Sequence, residues 1–231
     1  MAVSGSRTPE EAGPVIAYVD GTPSGDDAVI WAIEEAGRRG VLVRVLPRRE
    51  PDRLLAEAAD AAMIVVGSTG FLAMSRLATG STAMEVAVRA DVPVVVIRPG
   101  LPDAAPGPSA GRVVAGVDGT DLSRAAIRFA FAEADDHECG LTLVHAVDRE
   151  EDREPAEAML TRLAGERPDV RTVVRAGLAS AILIEESAGA ELLVVGSRGR
   201  AGLSGMMLGS VSQAVVHRAH CPVAVVRATP P

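Results

Sequence analysis

The stretch VIAYVDGTPSGDDAVIWAIEEA (15–36) returns 98 positions later as VVAGVDGTDLSRAAIRFAFAEA (113–134). AAMIVVGSTG (61–70) returns as GAELLVVGSRG (189–199), and ADVPVVVIRPG (90–100) as AHCPVAVVRAT (219–229), both at an offset of 129. A duplicated unit of this size restricts the chain to two versions of one architecture. The offset grows from 98 to 129, so 31 residues of the second copy have no counterpart in the first. Matching the flanks places them at 139–169, one strand plus one helix. Between the copies, seven of the thirteen residues 99–111 are Pro or Gly, the composition of a linker.

Each copy alternates short β-branched runs with helical patterns. In the second copy RVVAGV, LTLVHAV, RTVVRA, ELLVVG and VAVVRA read as strands. Leu122, Ala125, Ala126, Phe129 and Ala130 share one helix face, as do Val211, Ala214, Val215 and Ala219. Strand–helix alternation in units this short predicts an α/β fold of two doubly wound, Rossmann-like parallel sheets, with ligands at the carboxyl ends of the strands. The expected division is a disordered tail over 1–14, a truncated four-stranded domain over 15–98, the linker, and a complete five-stranded domain over 112–228. VLVRVL (41–46) should then close in beside the first strand.

Composition narrows the function. Aromatic residues make up 2% of the chain, so the core must be Val, Leu, Ile and Ala, which suits strands buried on both faces. A formal charge of −8 and a pI near 5.1 argue against nucleic acid as a partner. All 23 basic residues are Arg, which excludes a Walker-type phosphate loop and Schiff-base chemistry, both of which need Lys. No apolar run approaches the roughly 20 residues of a membrane span, and MAVSGSRTPEEAGP does not read as a signal peptide. The expectation is a cytoplasmic protein with Cys139 and Cys221 reduced.

The motif that carries chemistry is a glycine loop between a strand and a helix. Gly196, Gly199, Gly209 and Ser210 repeat the spacing of Gly67, Gly70, Gly80 and Ser81. Glycine lets backbone approach a ligand closely, and the start of a helix offers unpaired N–H groups to an anion. Gly209, Ser210, Val211 and Ser212 should open such a helix, the serine hydroxyls adding donors. The alternative is that the glycines only shape turns. A helix terminus contributes about 0.3–1 kcal/mol, reaching about 2, whereas micromolar affinity needs about 8. A phosphate cradle therefore requires an apolar moiety buried beside it, such as roughly 150 Å² of a purine at about 25 cal/mol per Å².

The duplicated Gly-2x-Gly-9x-Gly-Ser spacing, the GVDGT strand end and the closing HCPVAVVR resemble the universal stress protein family in a tandem two-domain form. In the ATP-binding branch, that resemblance implies triphosphate and ribose contacts at Gly196, Ser197, Arg198, Gly199, Gly209, Ser210, Val211 and Ser212. It implies cofactor contacts at Gly116, Val117 and Asp118 where the first strand ends, with Asp118 beside the ribose or a Mg²⁺ shared with the phosphates, and that Ala146 meets the adenine. In the first copy Asp20, Gly67, Gly70, Gly80 and Ser81 remain, but the strand that should floor the adenine is missing, so weak or absent binding is expected there.

Other candidates read as structural. His145 fits a core or edge position, His217 and His220 flank a helix end, and no Cys/His group has metal-ligand spacing. REEDREPAEAMLTRLAGERPD reads as a solvated helix, and no nucleophile–base pair points to catalysis beyond slow hydrolysis at Asp118. The reading is an ATP-binding stress-response sensor. Its rivals are a nucleotide-free dimerising module and a nucleotide hydrolase. The closing strands PVVVIR and PVAVVR look like sheet edges, through which either the two domains or two chains would pair.

Overall fold

Strands covered on both sides are built mainly of apolar residues, and the first strand shows it. In β1 (Val15–Val19), Ile16 and Tyr18 face one core layer while Val15 and Ala17 face the other, all four buried. The structure, a computed structural model, describes residues 13–47, 50–68, 82–99, 105–121, 123–197 and 208–227. The N-terminal half continues with α1 (Pro23–Arg39), β2 (Val43–Pro47), α2 (Pro51–Glu57), β3 (Met63–Gly67), α3 (Thr82–Arg89) and β4 (Val94–Ile97). The C-terminal half runs β5 (Arg112–Gly116), α4 (Ser123–Asp136), β6 (Gly140–Val147), α5 (Arg153–Ala164), β7 (Val170–Ala176), α6 (Ala179–Glu186), β8 (Leu192–Gly196), α7 (Ser210–Arg218) and β9 (Val223–Val226). The expected four and five strands are present, and β2 pairs with β1 as anticipated.

Local chemistry sets the helices. Thr22 caps α1 by accepting from the Gly25 N–H, Pro23 takes a first-turn position, and Gly40 ends the helix in the left-handed region at φ 65°. Ala28, Ala32 and Ala36 make one narrow stripe on α1, and Ala126, Ala130 and Ala134 repeat it on α4. Small side chains at every fourth position let both helices lie close to the sheet. They share one face with α5, while α2, α3, α6 and α7 supply the other.

The nine strands of the described residues form a single sheet in the order β2-β1-β3-β4-β9-β8-β5-β6-β7. Every pairing is parallel except β4–β9, which is antiparallel with Val95 opposite Ala224. The closing strands are thus not edges: they pair with each other within the chain, leaving neither to a second molecule. Apolar runs VVVI and VAVV that would be aggregation-prone if exposed satisfy one another instead. The sheet's edges are β2 and β7.

Two reciprocal clamps straddle this seam. The Arg98 guanidinium donates to the Ala219 carbonyl at the end of α7, and Arg227 donates to the Arg89 carbonyl at the end of α3 at 3.0 Å. Cations are favoured at helix carboxyl ends, and here each half supplies the other's. On the opposite face α1 meets α4, where Arg39 donates to Glu133 and His137 Nε2 lies 2.9 Å from Glu35. The described end of the Pro/Gly segment is anchored. The Gly107 and Gly111 N–H groups donate to Ala188 and Gly189, and the Ser109 hydroxyl donates to Glu186 at 2.6 Å.

Candidate functional site

The carboxyl ends of β5, β6, β7 and β8 converge with the starts of α4, α6 and α7 around a cavity of about 370 Å³. That volume lies within the roughly 300–1,000 Å³ typical of small-molecule sites. Its floor is apolar: Val144, Val195 and Leu183. A Cβ at Gly116 would stand 3.0 Å from Leu183 Cδ1 and 3.5 Å from Val195 Cγ1, so glycine at that strand position keeps the floor open. Val117, His145 and Ala146 form a wall, and Gly196 with Gly209–Ser212 closes the opposite side.

Of the predicted residues, Gly116, Val117, Asp118, Ala146, Gly196, Gly209, Ser210, Val211 and Ser212 all line this one space. Ser197 is buried behind it, its N–H donating to Val226 at 2.8 Å. Arg198 and Gly199 lie outside the described residues, as do Gly70, Gly80 and Ser81 of the other copy.

The hydrogen bonds correct two expected roles. The Gly209 N–H donates to the Ser197 carbonyl at 2.9 Å, and the Ser212 hydroxyl donates to the Gly196 carbonyl at 2.6 Å. Both groups therefore tie α7 to β8 instead of standing ready for an anion. The first-turn N–H groups of Ser210, Val211 and Ser212 have no acceptor within the helix, and the N-cap residue, Gly209, has no side chain with which to cap them. The Ser210 hydroxyl is exposed.

Asp118 also has internal work. Its Oδ1 accepts from the Thr120 N–H at 2.9 Å and from the Thr120 hydroxyl at 2.7 Å, across a turn that needs Gly119 at φ 79°. Asp20, Gly21 and Thr22 repeat the turn with the same φ of 79°. Asp-Gly-Thr is therefore a structural turn in both copies, and in the second it also sets a half-buried carboxylate at the cavity rim. His145 is buried, and its Nδ1 lies 2.6 Å from the Val117 carbonyl while the residue borders the cavity.

Sequence reading overlooked Asp148, at the end of β6, and the Gly177-Leu178-Ala179 turn into α6. Both sit at carboxyl ends of parallel strands, so the positional rule that flagged Gly196 would have found them.

Among the described residues, the N-terminal half is filled at the strand position equivalent to Gly116. Tyr18 stands 98 positions before Gly116 and is 3% exposed, within the core layer that also holds Leu183 and Val195. The end of β3 is flush with α1: a Cβ on Gly67 would fall 2.5 Å from Ser24. Gly67 is needed there for packing.

The model of the universal stress protein family matches residues 47–98, 110–162 and 149–227. Universal stress protein Rv2005c of Mycobacterium tuberculosis is 41% identical over 186 residues, covering 73% of this chain. The chain spans 62% of that relative's length. Universal stress protein Rv2623 of the same organism is 35% identical over 224 residues, covering 87% of this chain and 74% of the relative. Among solved structures, a universal stress protein from Archaeoglobus fulgidus superposes with a TM-score of 0.61 at 20% identity, covering 91% of this chain and 85% of its own.

Proposed function

Because this chain belongs to the universal stress protein family, we propose that it is a stress-response regulator that binds ATP, one molecule per chain, in the cavity of its C-terminal half. The observation that carries this reading is the pairing, in one space, of an apolar floor with a helix start whose N-cap is a glycine. The floor is suited to a purine, with Ala146 and Val117 beside the base and Asp118 and Asp148 near the ribose. The amides of Ser210, Val211 and Ser212 receive the phosphates, helped by the positive end of the α7 dipole. Asp118 offers a carboxylate to a phosphate-bound Mg²⁺, since its engaged Oδ1 fixes the group's orientation at the rim.

Energetics favour this division of labour. A helix start of about 0.3–2 kcal/mol cannot hold a nucleotide alone, so affinity depends on the floor. Calorimetry with ATP tests the reading. The wild type should bind one nucleotide, and Gly209→Asp should lose it, because a carboxylate would occupy the phosphate position. Two equal sites per chain, or no thermal stabilisation by millimolar ATP, would overturn it; the second result would favour a nucleotide-free interaction module.

A further inference from the structure

We propose that Glu35, Glu133 and His137 form a site for a divalent transition-metal cation of the zinc class, set between the two halves and apart from the nucleotide cavity. His137 Nε2 lies 2.9 Å from Glu35 Oε2 and 3.7 Å from Glu133 Oε2, and the three donor atoms fall within 4.8 Å of one another. Donors held at about 2.0–2.1 Å in a tetrahedral zinc site stand about 3.3 Å apart, midway between those two separations.

Arg39 orients this set from outside, while the hydrogen bonds that Glu35 Oε2 makes with His137 Nε2 and Arg38 are the ones an ion would replace, releasing any proton held between imidazole and carboxylate. The Arg39 guanidinium takes the outer oxygen of each carboxylate, Glu35 Oε1 at 2.5 Å and Glu133 Oε1. Both Oε2 atoms are thereby turned toward the imidazole, the arrangement by which outer partners fix metal ligands. Glu133 is fully buried, and its Oε2 has no hydrogen-bond partner among the described residues. A buried carboxylate oxygen left so is costly unless something positive meets it.

The other charges facing the cluster are Arg38, which donates to Glu35 Oε2 at 2.8 Å, and Asp136, whose Oδ2 is 3.7 Å from Arg39. The Arg38 side chain is 32% exposed and can swing to Glu34, already within 4.0 Å, as an ion enters. Asp136, 37% exposed, marks the rim through which it would pass. A mixed imidazole–carboxylate set suits zinc and its neighbours better than magnesium or calcium, which prefer oxygen alone. The duplication explains the site. Glu35 and Glu133 are equivalent at the 98-residue offset, as are Arg39 and His137, so His in place of Arg adds the third donor.

The test is titration of the metal-stripped full chain with Zn²⁺ by calorimetry and with Co²⁺ by visible absorption. One ion per chain should bind and raise the melting temperature, with Co²⁺ giving the intense bands of tetrahedral coordination. His137→Gln and Glu133→Gln should each weaken binding at least tenfold, while Asp118→Asn and His217→Gln leave it unchanged. If Glu133→Gln does not fold, His137→Gln decides alone. Absence of saturable binding at millimolar zinc, featureless Co²⁺ spectra, or binding that survives His137→Gln would overturn the assignment.

Discussion

The two halves start from one repeat, and at one equivalent strand position Gly116 borders a cavity where Tyr18 is buried in the core. Around that difference the C-terminal half carries β6 and α5, while the N-terminal half sets the exposed β2 in the place beside its first strand. The same subtraction shows on the helices. Phe131 in α4 lies under the Arg167 guanidinium at 5.2 Å, whereas its counterpart Ile33 in α1 is 53% exposed. The lesson is that a duplicated fold can keep its sheet while only one copy keeps a cavity like that beside Gly116 among the described residues, because the Asp-Gly-Thr turn serves packing in both.

Copying one half onto the other should have the largest effect. Gly116→Tyr is expected to remove ATP binding by more than a hundredfold in calorimetry while the far-ultraviolet circular dichroism stays native. Retained affinity would show that the cavity floor is not where the base sits. Next in size is the seam: Arg39→Ala leaves two buried carboxylates facing each other and should cost about 3–5 kcal/mol in urea denaturation. A loss below about 1 kcal/mol would mean that surrounding charges already compensate the pair.

Acid should probe the same seam more gently. Burial alone would raise the Glu35 carboxyl, but the His137 hydrogen bond and the Arg39 guanidinium outweigh it and hold the group near 2 against an ordinary 4.5. A carboxyl depressed on folding stabilises fully above its ordinary value, and that contribution fades as pH falls from about 4.5 toward 2. Melting temperatures measured with chelator present should decline across that window, and Glu35→Gln should flatten the decline. The smallest effect is expected from Ile30→Arg, which imports the residue found at the equivalent position 128. Since Ile30 is 58% exposed, stability should move by less than about 0.5 kcal/mol. A larger loss would reveal that this flank is covered in solution.

Much of this was legible from the repeat. The strand complement, the pairing of β2 with β1 and the α7 start at Ser210 follow from period and spacing, which are local properties. The pairing of β4 with β9 was open because either a second domain or a second chain satisfies an apolar edge equally well. Which amides remain available was not legible at all. Gly209 spends its amide on the Ser197 carbonyl and Ser212 its hydroxyl on the Gly196 carbonyl, partners chosen by tertiary approach. The Tyr18–Gly116 contrast was visible in the aligned copies, but its meaning required knowing which face of the strand is hollow. Glu35 and Glu133 look like ordinary helix-surface acids until α1 and α4 are brought together.

The antiparallel junction of β4 with β9 means that the chain carries its own partner. Dilution cannot separate the halves, since covalent connection keeps their effective concentration fixed whatever the amount of protein. Any signal raised by an occupied cavity must therefore leave through shape or surface, because association and dissociation at this junction are no longer variables the cell can adjust.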